Sequence, residues 1–194
     1  MGLAIMILGL AIFLGVHLQT TMRSQRAELI GRLGENGYKG LYSLVSALGL
    51  ALIVYGFARY RAHEWIVLWS PPTWTRHLAA LLVLFAMIML VASYARGHIY
   101  MTLKHPMLAG VKLWALAHLL ANGDLGSVIL FGSVLAWAVI DRISLKRRTD
   151  PGAPPIPVGG MRNDVIAVFG GIALYAVLGW WFHPYVIGVP AFGA

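Results

Sequence analysis

Leu78-Ala79-Ala80-Leu81-Leu82-Val83-Leu84-Phe85-Ala86-Met87-Ile88-Met89-Leu90-Val91-Ala92-Ser93-Tyr94 decides the fold. The run carries no charge, and spanning the hydrocarbon core of a bilayer takes about 17–25 apolar residues as a helix. Lipid offers no hydrogen bonds to the backbone, so such a run must satisfy its own N–H and C=O groups. The residues do not alternate between apolar and polar, as a membrane barrel strand would. Similar runs lie on either side, at Gly2–Gln19, Leu41–Phe57, Met107–Ala121, Leu125–Ile140 and Val165–Phe182. The fourth and fifth of the six are short. Asn122-Gly123-Asp124 splits them, with Gly123 suited to a helix C-cap, so they read as a helical hairpin. The expected fold is all-α: a polytopic bundle of about six segments, forming a single membrane domain over residues 1–194.

Composition agrees. Hydrophobic residues make up 59% of the chain and charged residues 11%, against about a quarter charged in a soluble domain. Mean hydropathy is +0.76. The first apolar run lacks a basic leader and an Ala-x-Ala site, so it reads as a retained helix. Without cysteine, disulfides, thiolate metal sites and thiol catalysis are excluded. The net charge of +8 would point to nucleic acid in a soluble protein. Here it follows from positive residues in cytoplasmic loops, and no nucleic-acid partner is expected. Eleven Lys and Arg residues fall in the odd-numbered loops and three in the second loop. The odd loops are therefore expected in the cytoplasm and both termini on the periplasmic side of an inner membrane. Thr149–Gly160, rich in Pro and Gly, reads as an exposed linker.

Histidines carry the functional signal, because imidazole in a lipid interior is costly without a partner or a task. The loop charges place His17, His98 and His105 toward the cytoplasm. They place His63, His77, His118 and His183 toward the other side. His17 and His105 then share a depth on different helices, as two axial ligands of a haem iron must. His105 precedes Pro106, a residue suited to the first position of a helix. His118 lies 13 residues further on, about 20 Å along a continuous helix, and belongs to a second shell or a second site. Lys112 shares a helix face with His105, where it could meet a haem propionate, a substrate anion or Asp124. Trp114 and Trp137 are placed to line the same pocket. Each has a plainer reading. His17 could bond a carbonyl or a lipid phosphate, Lys112 could snorkel, and tryptophans could pack or form an interfacial belt. Ala11 and Gly15, four apart, would let another helix come close to the first.

Other chemistries find little support. The serines lack a Gly-x-Ser-x-Gly context. No phosphate-cradling glycine loop precedes a Lys-Ser or Lys-Thr pair. Zinc wants three or four close ligands, and no such spacing occurs.

Three stretches together resemble the NnrU family of membrane proteins: Gly9–His17, Leu33–Ser43, and His105-Pro106-Met107-Leu108 with Leu113–Asp124. The likeness runs over nearly the whole chain. That family is linked with denitrification and nitrogen-oxide metabolism. It is also similar to 15-cis-zeta-carotene isomerase, a haem b enzyme with histidine ligands. The resemblance implies haem b between His17 and His105, with redox or isomerase chemistry at the iron. It also implies a hydrophobic small molecule or a nitrogen-oxide pathway protein as partner beside the bilayer. Lys104-His105-Pro106-Met107-Leu108-Ala109-Gly110 also resembles the Arg-His-Pro-x-Tyr-x-Gly signature of membrane methyltransferases that bind S-adenosylmethionine, with Lys104 and Leu108 replacing Arg and Tyr.

Overall fold

The computed structural model describes residues 1–148 and 158–192. They form α1 (Gly2–Gln19), α2 (Arg23–His63), α3 (Thr73–Ala95), α4 (His98–Leu103), α5 (Pro106–Ala121), α6 (Leu125–Arg147), α7 (Met161–Val177) and a π-helix over Leu178–Ile187. No strand occurs among the described residues, as an all-α bundle requires. α1, α2, α3, α6 and the run Met161–Ile187 are long and apolar enough to cross a membrane, and α5 is a shorter apolar helix. Most of the expected linker, from 149 to 157, lies outside the described residues.

The helices depart from the expected runs at their ends. α2 begins at Arg23, well before its apolar stretch. Residues 23–40 are polar but helical, supported by Arg32–Glu28 and Lys39–Glu35 pairs four apart, at 2.5 and 2.7 Å. Gly34 breaks this helix with φ 70° and ψ 164°, a backbone that other residues rarely adopt. α6 runs to Arg147, so the fifth segment is long enough to span and is not short. Gly123 is not a left-handed cap: α5 ends on Asn122 in an extended conformation, with its N–H on the His118 carbonyl. The sixth segment widens at Leu178 into a π-helix that continues past Pro184.

The chain forms two compact units, one of Met1–Trp69 with Gly123–Ser144 and the other of Ser70–Asn122 with Leu145–Ala194. In the first unit α1 packs on α2 through glycines. A methyl at Gly9 would lie 2.6 Å from the Ile53 nitrogen, and one at Gly49 2.8 Å from the Phe13 nitrogen. Gly2 and Gly56 make equally close approaches to Tyr60 and Met6. In lipid, contact of this kind replaces the hydrophobic effect as the source of helix association. The expected pair, Ala11 and Gly15, takes no part: Ala11 is exposed and Gly15 has nothing within 4 Å of a built Cβ. Met6, Leu10 and Ile53 form the core, with Ile129, Leu130 and Val134 of α6 against them. The segment after α2 is pinned to the start of α6. Leu68 and Trp69 donate to the Gly123 carbonyl, and Leu125 donates to Ile66. Asp124, almost fully buried, caps α6 by accepting the Ser127 N–H at 2.9 Å.

In the second unit α3 is packed by both α5 and α7. Gly110 of α5 sits on the Ala86 carbonyl, and Gly171 of α7 sits on Ile88. Asp164 at the start of α7 accepts from His98 Nδ1 at 2.7 Å and from the Ile99 N–H at 2.9 Å. Asn163 donates to the Ala95 carbonyl. These bonds fix the α3–α4 corner against α7 and give His98 a structural partner.

Candidate functional site

His17 and His118 are built alike. His17 lies one turn after Phe13, and its Nδ1 faces the Phe13 carbonyl at 2.6 Å. His118 lies one turn after Trp114, and its Nδ1 faces the Trp114 carbonyl at 2.8 Å. A carbonyl only accepts, so Nδ1 carries the proton in both rings and Nε2 keeps its lone pair. Each ring also packs on the aromatic side chain one turn back, at 4.2 Å for Phe13 and 4.9 Å for Trp114. This arrangement fixes both the tautomer and the ring plane, as the outer partners of metal-bound histidines do.

In the first unit, Tyr42 and Trp137 complete the surroundings of His17, with ring centres at 5.3 and 5.4 Å. Trp137 stands edge-on to the imidazole. Its Nε1 is buried with no acceptor among the described residues. A buried indole N–H without an acceptor costs about 1–3 kcal/mol, so the site has a donor that a bound group could use. A groove of about 260 Å³ adjoins it, lined by Gly15, Gln19, Tyr38 and Tyr42 among others. Tyr38 donates to Gln19 Oε1 at 3.0 Å.

In the second unit, His118 lines a cavity of about 480 Å³, within the ~300–1,000 Å³ usual for small-molecule and cofactor sites. His77 of α3 and His183 of the π-helix line it too. The rings of His118 and His183 lie 6.2 Å apart. Three of the four histidines expected on one side of the membrane thus meet in one cavity. Trp114 is part of the lining, whereas His105 and Lys112 are not. His105 is the N-cap residue of α5, with Pro106 at the first helical position, and α5 runs unbroken from there to Ala121. Lys112 makes no ion pair among the described residues, and one oxygen of the Asp124 carboxylate, Oδ1, caps α6 while the other is buried without a partner among them.

Reasoning from sequence missed Arg76, His77 and His183 as lining residues. Their sequence neighbourhoods, Thr75-Arg76-His77 and Trp181-Phe182-His183, look like interfacial helix ends. The signal available was the shared side of the membrane that loop charges assign to His77, His118 and His183.

No group of three or more His, Asp or Glu able to hold a bare metal ion occurs among the described residues, whereas structural or catalytic zinc takes three or four protein ligands. One or two imidazoles suffice when a porphyrin supplies the other four nitrogens.

Fold and site together define a multi-pass helical membrane protein with two carbonyl-oriented histidines, one of which, His118, lines a cavity. Residues 5–191 match the family model described as NnrU protein, and the chain belongs to that family. No curated protein and no solved structure matches it.

Proposed function

We propose that this NnrU-family chain is a haem b-binding protein of the bacterial inner membrane that serves nitrogen-oxide metabolism. The observation that carries the reading is the shared construction of His17 and His118, each with Nδ1–H on the carbonyl one turn back. The buried Trp137 Nε1 beside His17 and the cavity at His118 support it. The link with denitrification rests on the family resemblance. Bound haem would supply electron transfer, or a Lewis-acidic iron able to act on a polyene as in the related isomerase. The chain's own part is to hold imidazoles in one tautomer, exclude water and shape the cavity.

The resemblance implies His17 with His105 as the iron ligands. The geometry favours His118 over His105 as a haem-binding histidine of the second unit, because His118 lines the cavity and His105 does not. Absorption spectra of purified variants separate the readings. Imidazole ligation on both faces of ferric haem gives a low-spin spectrum, and loss of one ligand gives high-spin iron or an empty protein. His118→Ala should do this, and His105→Ala should keep the wild-type spectrum. If His105→Ala loses the low-spin spectrum and His118→Ala retains it, the ligand pair implied by the resemblance is correct. A colourless wild-type preparation that binds S-adenosylmethionine would overturn the haem reading in favour of the methyltransferase one.

A further inference from the structure

The break in α2 shapes the groove of the first unit. Arg26 and Tyr38 would stand about 18 Å apart along an unbroken helix. Across the Gly34 break the Arg26 Cζ lies 5.4 Å from the centre of the Tyr38 ring. The stretch before Gly34 is therefore turned back on the stretch after it. The groove of about 260 Å³ takes a wall from each. Leu29 lines it from before the break, Tyr38, Leu41 and Val45 from after it, and Val16 and Gln19 from the end of α1.

Two polar groups stand against this apolar wall. Gln19 accepts the Tyr38 hydroxyl on Oε1 at 3.0 Å. Its Nε2 is left buried with no acceptor among the described residues, a condition that a ligand carbonyl would relieve. Arg26 is half-buried above Tyr38 and makes no ion pair among the described residues. Glu28 and Glu35, the acids of residues 23–40, are bound to Arg32 and Lys39. Arg26, Tyr38 and Gln19 thus touch one after another, a cation at one end and an unused amide donor at the other.

We infer that this groove is a site for one anionic phospholipid, with an acyl chain along Val16, Leu29, Leu41 and Val45, an ester carbonyl on the Gln19 amide and the headgroup phosphate at Arg26. Phosphate, glycerol and ester carbonyl follow one another in the lipid as Arg26, Tyr38 and Gln19 do in the groove. A free anion would leave the apolar wall uncovered, and a neutral apolar molecule would make no use of Arg26. The loop charges predict that this end of α1 faces the cytoplasm, where basic segments are drawn to anionic headgroups. A fatty acid offers the same tail and charge without an ester, so the test separates the two sources. The site is independent of the haem reading.

The full-length chain in detergent is titrated with dioleoyl phosphatidylglycerol and followed by native mass spectrometry. One lipid should bind per chain. Wild type should prefer phosphatidylglycerol to phosphatidylethanolamine by about fivefold, the effect of one arginine at a membrane surface. It should prefer the diester to the dialkyl ether, which has no carbonyl, by roughly twofold to tenfold. Arg26→Gln should abolish the headgroup preference alone, and Gln19→Leu the ester preference alone. Each preference is a ratio measured within one protein, so a general loss of stability does not imitate its disappearance. Arg32→Gln, at a residue already paired, should keep both. Wild type lacking either preference, a variant that retains the preference assigned to its residue, or equal losses in Arg32→Gln would overturn the inference. Tighter binding of oleate than of phosphatidylglycerol would assign the groove to a fatty acid, and displacement of the lipid by an equimolar short-chain quinone would assign it to a quinone. Either result would overturn the phospholipid assignment.

Discussion

Gly49→Ala tests whether helix packing holds the histidine environment in the first unit. A Cβ at position 49 would lie 2.8 Å from the Phe13 nitrogen and 2.9 Å from the Phe13 Cβ. Ordinary contact begins near 3.4 Å, so α1 and α2 must part by roughly half an ångström or the methyl must strain the backbone. Overpacking of this kind costs about 1–3 kcal/mol. At ~2–4 °C per kcal/mol for a chain of this size, the melting temperature should fall by about 2–12 °C. The displaced residue is the one whose carbonyl orients His17 and whose ring packs on it, so a haem spectrum that depends on His17 should change as well. Gly15→Ala is the control, because nothing lies within 4 Å of its Cβ, and it should be neutral or slightly stabilising through helix propensity. The assay is thermal unfolding in detergent, followed by intrinsic fluorescence. A Gly49→Ala protein as stable as wild type, or a Gly15→Ala protein equally destabilised, would refute the glycine-mediated contact.

Two further outcomes are expected. The amino terminus of Met1, with the N–H groups of Gly2 and Leu3, holds the Glu64 carboxyl down to about 2 from its ordinary 4.5. A depressed carboxyl contributes stability that is present above pH 4.5 and lost as pH falls toward 2. The gap in melting temperature between wild type and Glu64→Gln should therefore close across that window, and a gap independent of pH would show that the carboxylate does not secure the start of α1. The loop charges predict that both termini face the periplasm. A C-terminal alkaline phosphatase fusion should be active and a C-terminal fluorescent-protein fusion dark, and the reverse pattern would invert the depth assigned to every histidine.

The spanning helices were legible in the sequence because the bilayer imposes a length and a composition that few other environments demand. Leu78–Tyr94 could be little else, and α3 extends it only to Thr73 and Ala95. Pro106 announced the start of α5 for a reason confined to its own ring. The polar half of α2 was not legible, since its helicity draws on pairs four residues apart and is interrupted at Gly34, a glycine that could have been a turn. Nor was the choice of packing glycines. Gly9 and Gly15 look alike in sequence, and only the path of α2 makes one a contact and leaves the other open. The histidines divide in the same way. Their type, number and rough depth follow from residue order and loop charge. Which rings have a carbonyl one turn back, which of them share a cavity, and that Arg76 and not Lys112 lines it depend on how each helix is rotated about its axis. Rotation is set by packing across many residues distant in the chain, and no local pattern of residues encodes it.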